Sequence, residues 1–418
     1  MEQLLKLLFG AAVEAALPQK LMQGFLPGLP RGRTIAVGGG KSAALMAQTF
    51  EEHWQGDVTG LVITRYGHRV PTQKIRVVEA SHPLPDEQGV ASTREIFNLI
   101  SDLSAEDLVI CLLSGGGSAL LTLPPAVLTL KDLIEVNTQL LRSGATIREI
   151  NVVRKHLSLS SGGRLAAAAY PAFVHSLIIS DVPGDDLCAI ASGPTVGDSI
   201  TFLDALKIIE RYKIVLSSRV RDYLEQNLNP VISSTDPRLE NTVNHLIATP
   251  QLSLEAAARL AQSYGYQTLI LGDSLQGEAR EVGIVHAGIV QQIVRHHQPV
   301  APPCVVFSGG ETSVTLGKTG KGGRNTEFLL SLAIALEGLA GVYAIACDTD
   351  GIDGSENNAG AWITPHTLQR AQDLGLDSRA YLDEHDSYSF FALLESLVIT
   401  GPTLTNVNDF RAVLVTQG

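Results

Sequence analysis

The stretch Val109–Leu121, VICLLSGGGSALL, limits what this chain can fold into more than any other. An apolar run of strand length leads into Ser114-Gly115-Gly116-Gly117-Ser118, and a second apolar run follows. Three glycines let backbone N–H groups converge on an anion, because no Cβ atom blocks the approach. The alternative is a tight strand–helix connection that binds nothing. Related strand-to-glycine turns are predicted in Ile35–Ala43 (IAVGGGKSA) and Val305–Leu316 (VVFSGGETSVTL).

Apolar strands alternate with amphipathic helices along the chain. The predicted strands are Thr34–Val37, Gly60–Thr64, Ile75–Ala80, Leu108–Leu113, Val174–Ser180, Val243–Ala248, Gln267–Leu271, Val305–Ser308, Val342–Ala346 and Arg411–Thr416. The predicted helices are Ala43–Phe50, Gln88–Leu103, Lys131–Ser143, Phe202–Tyr212, Leu252–Tyr264, Gly277–His297 and Thr326–Leu336. This alternation predicts the α/β class, with βαβ units and mainly parallel sheets whose carboxyl edges bind ligands.

The length of 418 residues suits about two domains. The segment Asn229–Asn241, NPVISSTDPRLEN, has two prolines and no periodicity, which is typical of a linker. We therefore expect one α/β domain over residues 1–235 and a second over 236–418. The segment Arg148–Arg164 is long and polar, and no helix or strand is assigned to it.

The first residues, MEQLLKLLFGAAVEAAL, resemble a signal peptide but lack a basic start, and Lys6 and Glu14 interrupt the apolar run. Apolar side chains recur at helical spacing, which predicts an amphipathic helix packed on a core. No apolar run approaches the roughly 20 residues that span a bilayer. The four cysteines are widely spaced, without a CxxC pair, which favours free thiols over disulfides or zinc. These features predict a cytoplasmic protein without a membrane partner.

The net charge of −12 argues against a nucleic-acid partner, because no basic block offsets it. An anionic small substrate remains compatible with that charge, since a local cationic pocket can oppose the overall sign. A homodimer stays open.

The run Gly38–Ser42 resembles two known phosphate-binding motifs only in part. It ends in Gly-Lys-Ser, but Ile35 stands where a P-loop needs glycine. It also fits a dinucleotide fingerprint, yet Thr64-Arg65 follows the next strand where an acid would bind ribose; an arginine there could accept a 2′-phosphate. Lys41 lies at a predicted helix start, where the dipole disfavours a cation, so we expect Lys41 to pair with a bound anion.

A second cationic loop is TGKGGRNTE, Thr319–Glu327. Lys321 and Arg324 flank two glycines before a predicted helix, and an arginine fork can hold a carboxylate or phosphate with two hydrogen bonds. Asn325 is predicted to cap this helix. The alternative is a surface loop with ordinary charges.

Two acidic clusters follow predicted strands: Asp181, Asp185 and Asp186 form one, and Asp348, Asp350 and Asp353 the other. The second cluster, DTDGIDG, departs from the EF-hand spacing, which excludes that calcium site. Carboxylates beside anion loops fit Mg²⁺ bridging phosphate oxygens, whereas acids that cap helices and shape turns are the alternative.

Among the eleven histidines, His82 and His156 stand in polar segments and are the candidates to follow; the others are expected to be structural. The absence of a GxSxG motif argues against an α/β-hydrolase. Ser114 and Ser118 are therefore interpreted as phosphate contacts rather than nucleophiles.

Ten ordered motifs together resemble the glycerate 2-kinase family, whose C-terminal half is known as the MOFRL domain and whose members often carry the label hydroxypyruvate reductase. The motifs are GGGKSA, CLLSGGGSALL, VRKHLSLSSGGRLA, ISDVPGDD, ASGPT, SGGETSVTL, GKGGRNTEF, DTDGIDG, AGA and TGPTLTNVND. The resemblance runs from about Gly38 to the C-terminus. It implies ATP- and Mg²⁺-dependent phosphorylation of D-glycerate to 2-phosphoglycerate by two α/β domains with the active site in a cleft between them. It also marks Lys41 and Arg324 as central.

Three positions depart from the family pattern: Ser161 replaces a lysine, Thr326 replaces glutamine, and Leu404 replaces the glycine of many members. The Ser161 change removes a cation that could have met a phosphate.

On this resemblance we predict Lys41, Arg324 and Asp186 as catalytic residues, and Asp185 and Asp350 as Mg²⁺ ligands. The nucleotide would contact the loop Ser114, Gly115, Gly116, Gly117 and Ser118, together with Gly309, Gly310, Lys321 and Asn325. Two alternatives remain open: an NAD(P)H-dependent hydroxypyruvate reductase, and a sugar-phosphate-binding regulatory protein.

Overall fold

The computed structural model describes residues 1–226, 230–315 and 320–417, and these residues form two compact units. The first unit comprises Pro18–Ser180 and Asp185–Ile247. The second unit comprises Met1–Leu17, Asp181–Gly184 and the chain from Ala248 onward. Each unit has its own sheet, and the second takes in the N-terminal segment, unlike the predicted single division at residue 235.

The helices are α1 (Glu2–Glu14), α2 (Pro18–Leu21), α3 (Ala43–His53), α4 (Glu87–Leu99), α5 (Gly117–Leu120), α6 (Leu130–Arg142), α7 (Ile147–Leu157), α8 (Arg164–Ala169), α9 (Phe202–Arg211), α10 (Ser218–Glu225), α11 (Pro250–Ser263), α12 (Ala279–His296), α13 (Arg324–Leu336), α14 (Thr367–Asp373), α15 (Ser378–Asp383) and α16 (Ser387–Leu393). The strands are β1 (Thr34–Gly39), β2 (Thr59–Arg65), β3 (Ile75–Ala80), β4 (Leu108–Leu113), β5 (Phe173–Ile179), β6 (Thr242–Ala248), β7 (Gln267–Ile270), β8 (Leu275–Glu278), β9 (Cys304–Ser313), β10 (Val342–Asp348), β11 (Gly360–Ile363), β12 (Leu397–Val398) and β13 (Asp409–Val415).

The first unit is built on a six-stranded sheet in the order β3-β2-β1-β4-β5-β6. Strands β1 to β5 pair in parallel. Every residue of β1 and β4 is buried, as expected for central parallel strands covered on both faces. The predicted α/β class and parallel sheet are confirmed for this unit. Strand β6, predicted to begin the second domain, instead completes this sheet.

The second unit has a mixed sheet in the order β12-β11-β10-β13-β9-β7, with β8 also paired to β9. Strand β13 runs antiparallel to both β10 and β9, whereas β7 and β8 run parallel to β9. The prediction of a mainly parallel sheet is wrong for this unit. The last strand returns through the middle of the sheet, and nothing in the alternation of apolar strands and helices reveals its direction.

Helix α1 packs on the core of the second unit, as the amphipathic pattern predicts. Leu5, Leu8 and Ala12 are fully buried, and the ring of Phe9 lies 5.8 Å from that of Phe410 on β13. The same core includes apolar residues of α11, β9 and β10. A helix at the start of the sequence therefore helps to hold together a sheet formed by its end.

At two places the local structure differs from the sequence analysis. No helix is assigned from the sequence to the polar segment Arg148–Arg164, yet most of α7 lies in it, and this helix begins with a capping box formed by Thr146 and Glu149. Gly309 and Gly310 continue β9 rather than turning out of it. Leu316, Thr319 and Asn229, which closed or opened three predicted segments, lie outside the described residues.

All four cysteines are free, and Cys111, Cys304 and Cys347 are buried, as predicted. Within the described ranges, no helix combines the length and the apolar character needed to cross a membrane.

Candidate functional site

In the first unit, the loops after β1 and β4 are joined by direct hydrogen bonds. The Lys41 N–H donates to the Gly115 carbonyl at 2.8 Å, and the Ser42 N–H donates to Ser114 Oγ at 3.0 Å. A Cβ on Gly40, whose φ is +144°, would lie 2.2 Å from Ser114 Oγ, so only glycine allows this approach. Ser114 is fully buried. Its hydroxyl therefore fixes the two loops together and has no surface left for the phosphate contact predicted for it.

The middle of the glycine loop presents backbone donors. Among the hydrogen bonds of the described residues, none uses the N–H of Gly115 or Gly116, whereas Gly117 N–H donates to the Ser114 carbonyl. Gly116 has a left-handed φ of +83° and precedes α5. Successive N–H groups in such a turn form a concave anion site. Only part of the loop therefore supplies donors, and its role as an anion cradle stays a prediction.

Lys41 and His82 meet at this loop. A Cβ placed on Gly116 would lie 3.1 Å from the His82 ring and 3.4 Å from Lys41 Cγ. The aliphatic part of the Lys41 side chain therefore lies over Gly116, whose N–H group has no acceptor among the described residues. His156, the other candidate histidine, is buried on α7, and its Nδ1 lies 2.9 Å from the Val152 carbonyl oxygen. Burial lowers its pKa, which is typical of a neutral core histidine.

The hydroxyl of Ser118 continues into a buried polar chain. Ser118 Oγ lies 2.8 Å from Ser192 Oγ, and Ser192 Oγ lies 3.3 Å from Asn151 Oδ1. Asn151 Nδ2 donates to the Ala189 carbonyl at 3.1 Å. Ser192 and Asn151 were not predicted as site residues, although Ser192 belongs to the quoted ASGPT motif.

The acidic pair of the first unit has an arginine partner. Arg148 Nη2 lies 3.0 Å from Asp186 Oδ2, and Cys188 N–H donates to Asp186 Oδ1 at 3.0 Å. The Asp186 side chain is about one-third exposed, and Arg148 is 75% exposed. Asp185 adopts a left-handed φ of 54°, so the backbone turns at this residue, directly before Asp186.

In the second unit, Arg324 is the centre of a charged network. Nε donates to Asp409 at 2.6 Å, Nη1 to Glu311 at 3.2 Å, and Nη2 to Asp348 at 2.9 Å. Nη2 also donates to Asn408 Oδ1 at 2.8 Å. These four bonds use four of the five guanidinium N–H groups.

The acids around Arg324 fix its charge. Burial alone would lower the pKa of Arg324, but attraction to Asp409, Asp348 and Glu311 raises it well above its ordinary value. Burial would likewise raise the pKa of Asp409, and the adjacent Arg324 and Arg411 lower it. The guanidinium is therefore permanently cationic, and three carboxylates surround it.

Helix α13 is capped by an acid from a distant loop. Asp353 accepts hydrogen bonds from the N–H groups of Asn325 at 3.0 Å and Thr326 at 2.9 Å. Asn325 is the second residue of the helix, so the prediction that it supplies the cap is wrong. Its Nδ2 group instead donates to Asp409 at 2.9 Å.

The other acids of DTDGIDG shape their own loop. Asp348 Oδ1 accepts from the Asp350 N–H at 3.0 Å, and Asp350 Oδ1 accepts from the Ile352 N–H at 2.8 Å. Asp350 is almost fully buried. Within the part of the chain that the structure describes, no three His, Cys, Asp or Glu side chains are grouped so as to hold a metal ion by themselves.

The remaining predicted contacts differ in character. Lys321 is exposed, and its N–H donates to Asp386 at 3.1 Å. Gly309 N–H donates to the Gly272 carbonyl at 2.8 Å, and a Cβ on Gly310 would lie 2.2 Å from the Leu275 carbonyl. The two glycines therefore serve strand pairing, and they do not form the turn that the sequence suggested.

Comparison with known proteins shows which family of folds this chain belongs to. Residues 4–225 match the family described as "Domain of unknown function (DUF4147)", and residues 304–409 match the MOFRL family. The crystal structure of a glycerate kinase from Thermotoga maritima superposes with a TM-score of 0.88 at 39% sequence identity, and the match covers 99% of each chain. The fold is that of a two-unit α/β protein of the MOFRL type.

Relatives of almost equal length narrow the class further. The chain is 40% identical to the D-glycerate 2-kinase of Thermotoga maritima, over 97% of this chain and 96% of that protein. It is 51% identical, over 99% of its length and 94% of the relative's, to an Agrobacterium vitis protein provisionally named hydroxypyruvate reductase. The human glycerate kinase is 34% identical over 96% of this chain and 91% of that protein. The chain belongs to the glycerate 2-kinase family, which confirms the resemblance seen in its motifs.

Proposed function

We propose that the protein is a cytoplasmic glycerate 2-kinase that transfers the γ-phosphoryl group of ATP to the 2-hydroxyl of D-glycerate, giving 2-phosphoglycerate and ADP. The full-length similarity to the Thermotoga maritima D-glycerate 2-kinase carries this proposal. In the reaction the 2-oxygen forms a bond to the γ-phosphorus, the bond to the ADP oxygen breaks, and the 2-hydroxyl proton leaves.

The glycine loop and Lys41 supply what a phosphoryl group needs in the first unit. The unused N–H groups of Gly115 and Gly116 donate to its oxygens, and Lys41 adds a positive charge beside them. Phosphoryl transfer depends mainly on positioning and charge stabilisation, so these groups suffice without a nucleophilic side chain. Asp186 is assigned the proton of the 2-hydroxyl; Arg148, its highly exposed partner, can leave that carboxylate.

Arg324 offers an anion one remaining N–H group, on Nη1. We propose that this group contacts the glycerate carboxylate or the transferring phosphoryl group. Glu311, the most exposed of its three acidic partners, shares the same nitrogen and is the side chain that would move aside.

These residues fit a Mg²⁺ ion that is held jointly by the protein and the nucleotide phosphates, rather than by protein ligands alone. Mg²⁺ binds through one or two carboxylates and completes its shell with phosphate oxygens and water. Asp185 remains the proposed ligand in the first unit, whereas Asp350 already accepts a backbone hydrogen bond and is almost fully buried. When bound, the ion would neutralise phosphate charge. Lys321, which is exposed, is proposed to contact the nucleotide more weakly than the glycine loop does.

The experiment that tests the function assays one purified sample in parallel. D-glycerate with ATP and Mg²⁺ is followed by ADP release, with and without EDTA, and the phosphoglycerate isomer is identified by NMR. Hydroxypyruvate with NADH or NADPH is followed by cofactor oxidation. We expect EDTA-sensitive ADP release and 2-phosphoglycerate. Cofactor oxidation without ADP release would favour the reductase, and neither signal would favour a binding protein.

Replacing Lys41 or Arg324 by alanine tests the assigned site. We expect each variant to lose on the order of 10²-fold or more in kcat/KM for D-glycerate, because each removes a charge that stabilises the transition state. Lys131→Ala and Arg142→Ala, at exposed positions on α6, are the matched controls and should keep wild-type rates. Near wild-type activity in both Lys41→Ala and Arg324→Ala would contradict the assignment.

A further inference from the structure

The hydrogen-bonded chain behind Ser118 has a direction that can be deduced from its far end. The Ala189 carbonyl can only accept, so the group of Asn151 that lies 3.1 Å from it must be the Nδ2 amide nitrogen. Asn151 Oδ1 therefore faces Ser192. An amide oxygen has no proton to give, so the single hydroxyl proton of Ser192 is donated to Asn151.

The direction then passes to Ser118. Ser192 has spent its only proton, so at 2.8 Å its oxygen must accept from the Ser118 hydroxyl. Both Ser192 and Asn151 are buried, at 1% and 4% exposure, so water cannot readily reverse the chain. The proton of Ser118 consequently points into the protein. Its free lone pairs point outward from a partly exposed position beside the glycine loop.

The backbone around Ser192 keeps this arrangement in place. Ala191, Ser192 and Gly193 all have left-handed φ values, of 50°, 62° and 61°. The Gly162 N–H donates to the Ser192 carbonyl at 3.0 Å. A Cβ on Gly117 would come within 2.5 Å of Ala191 Cβ, so this strained segment packs directly on the glycine loop. Strain of this kind persists where the surroundings hold it, and such positions cluster at functional sites.

An outward-facing acceptor cannot serve a phosphate or a carboxylate, since both offer acceptors only when ionised. The partner of Ser118 must therefore carry a proton to donate or a positive charge, and in a hydroxy-acid substrate the groups that fit are the alcohols. The chain behind Ser118 ends at an amide and a backbone carbonyl, neither of which can take up a proton. The hydroxyl that Ser118 holds is therefore not the one that loses its proton in the reaction.

We propose that Ser118 binds the non-reacting 3-hydroxyl of D-glycerate as a hydrogen-bond acceptor, and that Ser192 and Asn151 position it for this role. The inference rests on the proposed glycerate 2-kinase activity and assigns Ser118 to the acid substrate, in contrast to the ATP-phosphate contact predicted from the sequence. A site built to pair with a substrate hydroxyl rejects an analogue that lacks it, because its own polar group is then left unpaired.

D-lactate lacks only this hydroxyl, so comparing it with D-glycerate tests the proposal. The wild type should prefer D-glycerate by about 10-fold or more in kcat/KM. Ser118→Ala should lower kcat/KM for D-glycerate about 10-fold, leave D-lactate within about twofold, and leave the KM for ATP unchanged. Ser101→Ala, an exposed position after α4, is the matched control. Melting curves confirm that each variant is folded.

A second variant tests the direction of the chain. Ser192→Ala removes the acceptor of the Ser118 proton, so the hydroxyl can turn outward and the preference for D-glycerate over D-lactate should shrink. An unchanged preference in this variant, equal losses for both substrates in Ser118→Ala, or a raised KM for ATP would each overturn the proposal. Calorimetric binding of D-glycerate and D-lactate to the same variants makes the comparison without turnover. A wild type that binds D-glycerate selectively but releases no ADP would count against the kinase activity alone.

Discussion

At the scale of single residues, Arg324 is a cation whose orientation is already fixed by protein side chains. Three carboxylates and one amide oxygen fix the guanidinium plane, and one N–H group is left. The fixed orientation reduces the entropy lost on binding, whereas the surrounding negative charge opposes an anion. Glu311, which is 41% exposed, is the acid most able to move away from Arg324, because Asp348 and Asp409 are almost completely buried. The affinity of Arg324 for an anion should therefore depend most on Glu311.

We predict that Glu311→Gln lowers the KM of the anionic substrate that contacts Arg324. The change removes one negative charge and weakens the competition for Nη1, while keeping the shape of the side chain. An exposed ion pair contributes only about 0–1 kcal/mol, so the stability should change little. Initial rates at varied D-glycerate and at varied ATP identify which KM falls.

Glu281→Gln on α12 is the control for Glu311→Gln, because it removes an exposed carboxylate elsewhere in the same unit. A rise in both KM values for Glu311→Gln, with Glu281→Gln unchanged, would mean that Glu311 supports the site rather than shielding it.

The sequence allowed Arg324 to be singled out but not its partners. A cation beside two glycines before a helix is a local pattern, visible within a few residues. Asp409 lies 85 residues further along the chain, and only the return of β13 through the middle of the sheet brings it to Arg324. Asn151 and Ser192 were missed for the same reason, since their pairing depends on α7 and on a left-handed turn.

At the scale of elements, the sequence predicts a strand correctly where its hydrophobic pattern matches its burial in the fold. The buried strands β1 and β4 read as unbroken apolar runs, and both lead into the predicted glycine loops. Helix α7 was missed although Thr146 and Glu149 form a capping box and Ile150, Val153 and Leu157 recur at helical spacing. Its high polarity concealed that spacing. The cap of α13 could not be predicted, because Asp353 reaches it from another loop.

Helix α12 contains a histidine whose titration should be visible in the stability of the protein. His286 is buried, with Nε2 2.9 Å from Ser308 Oγ and its ring 5.0 Å from that of Phe328. Burial lowers the pKa of His286 from 6.5 to about 4. The unfolded chain therefore binds a proton that the folded chain does not between about pH 6.5 and pH 4. Stability should fall as the pH falls through that window, by roughly 3 kcal/mol in total.

His286→Gln should flatten this part of the pH dependence of unfolding. Chemical denaturation between pH 4 and pH 7.5 measures it, and His296→Gln, an exposed position at the end of the same helix, is the control. An equally steep loss of stability in His286→Gln and in His296→Gln would exclude His286 as the source.

At the scale of the whole molecule, the unit boundaries do not follow the order of the chain. The predicted division near residue 235 relied on a proline-rich segment, and such a segment reports local flexibility rather than which core a neighbouring element joins. Helix α1 illustrates the difference, because its apolar face is visible in the sequence but its destination is not. Only the structure shows that this face meets α11 and β13.

Leu8→Ala tests this assignment of α1. Leu8 is fully buried in the second unit, so the truncation should cost about 2–5 kcal/mol of stability. Hydrogen exchange should accelerate in α11 and β13 and remain slow in β1 and β4. Leu7→Ala, one residue away at a position that is 45% exposed, should have little effect. Faster exchange in β1 and β4 alone would contradict the assignment.

The placement of α1 also has a consequence for synthesis on the ribosome. Over two hundred residues separate α1 from α11, so at about 5–20 residues per second the helix emerges at least 10 s or so before its packing partner. During that time most of the first unit is synthesised, up to its last strand β6, while the apolar stripe of α1 remains uncovered. The nascent chain therefore carries an exposed hydrophobic segment, and we expect chaperones that bind such segments to influence the yield of this protein more than its final stability would suggest.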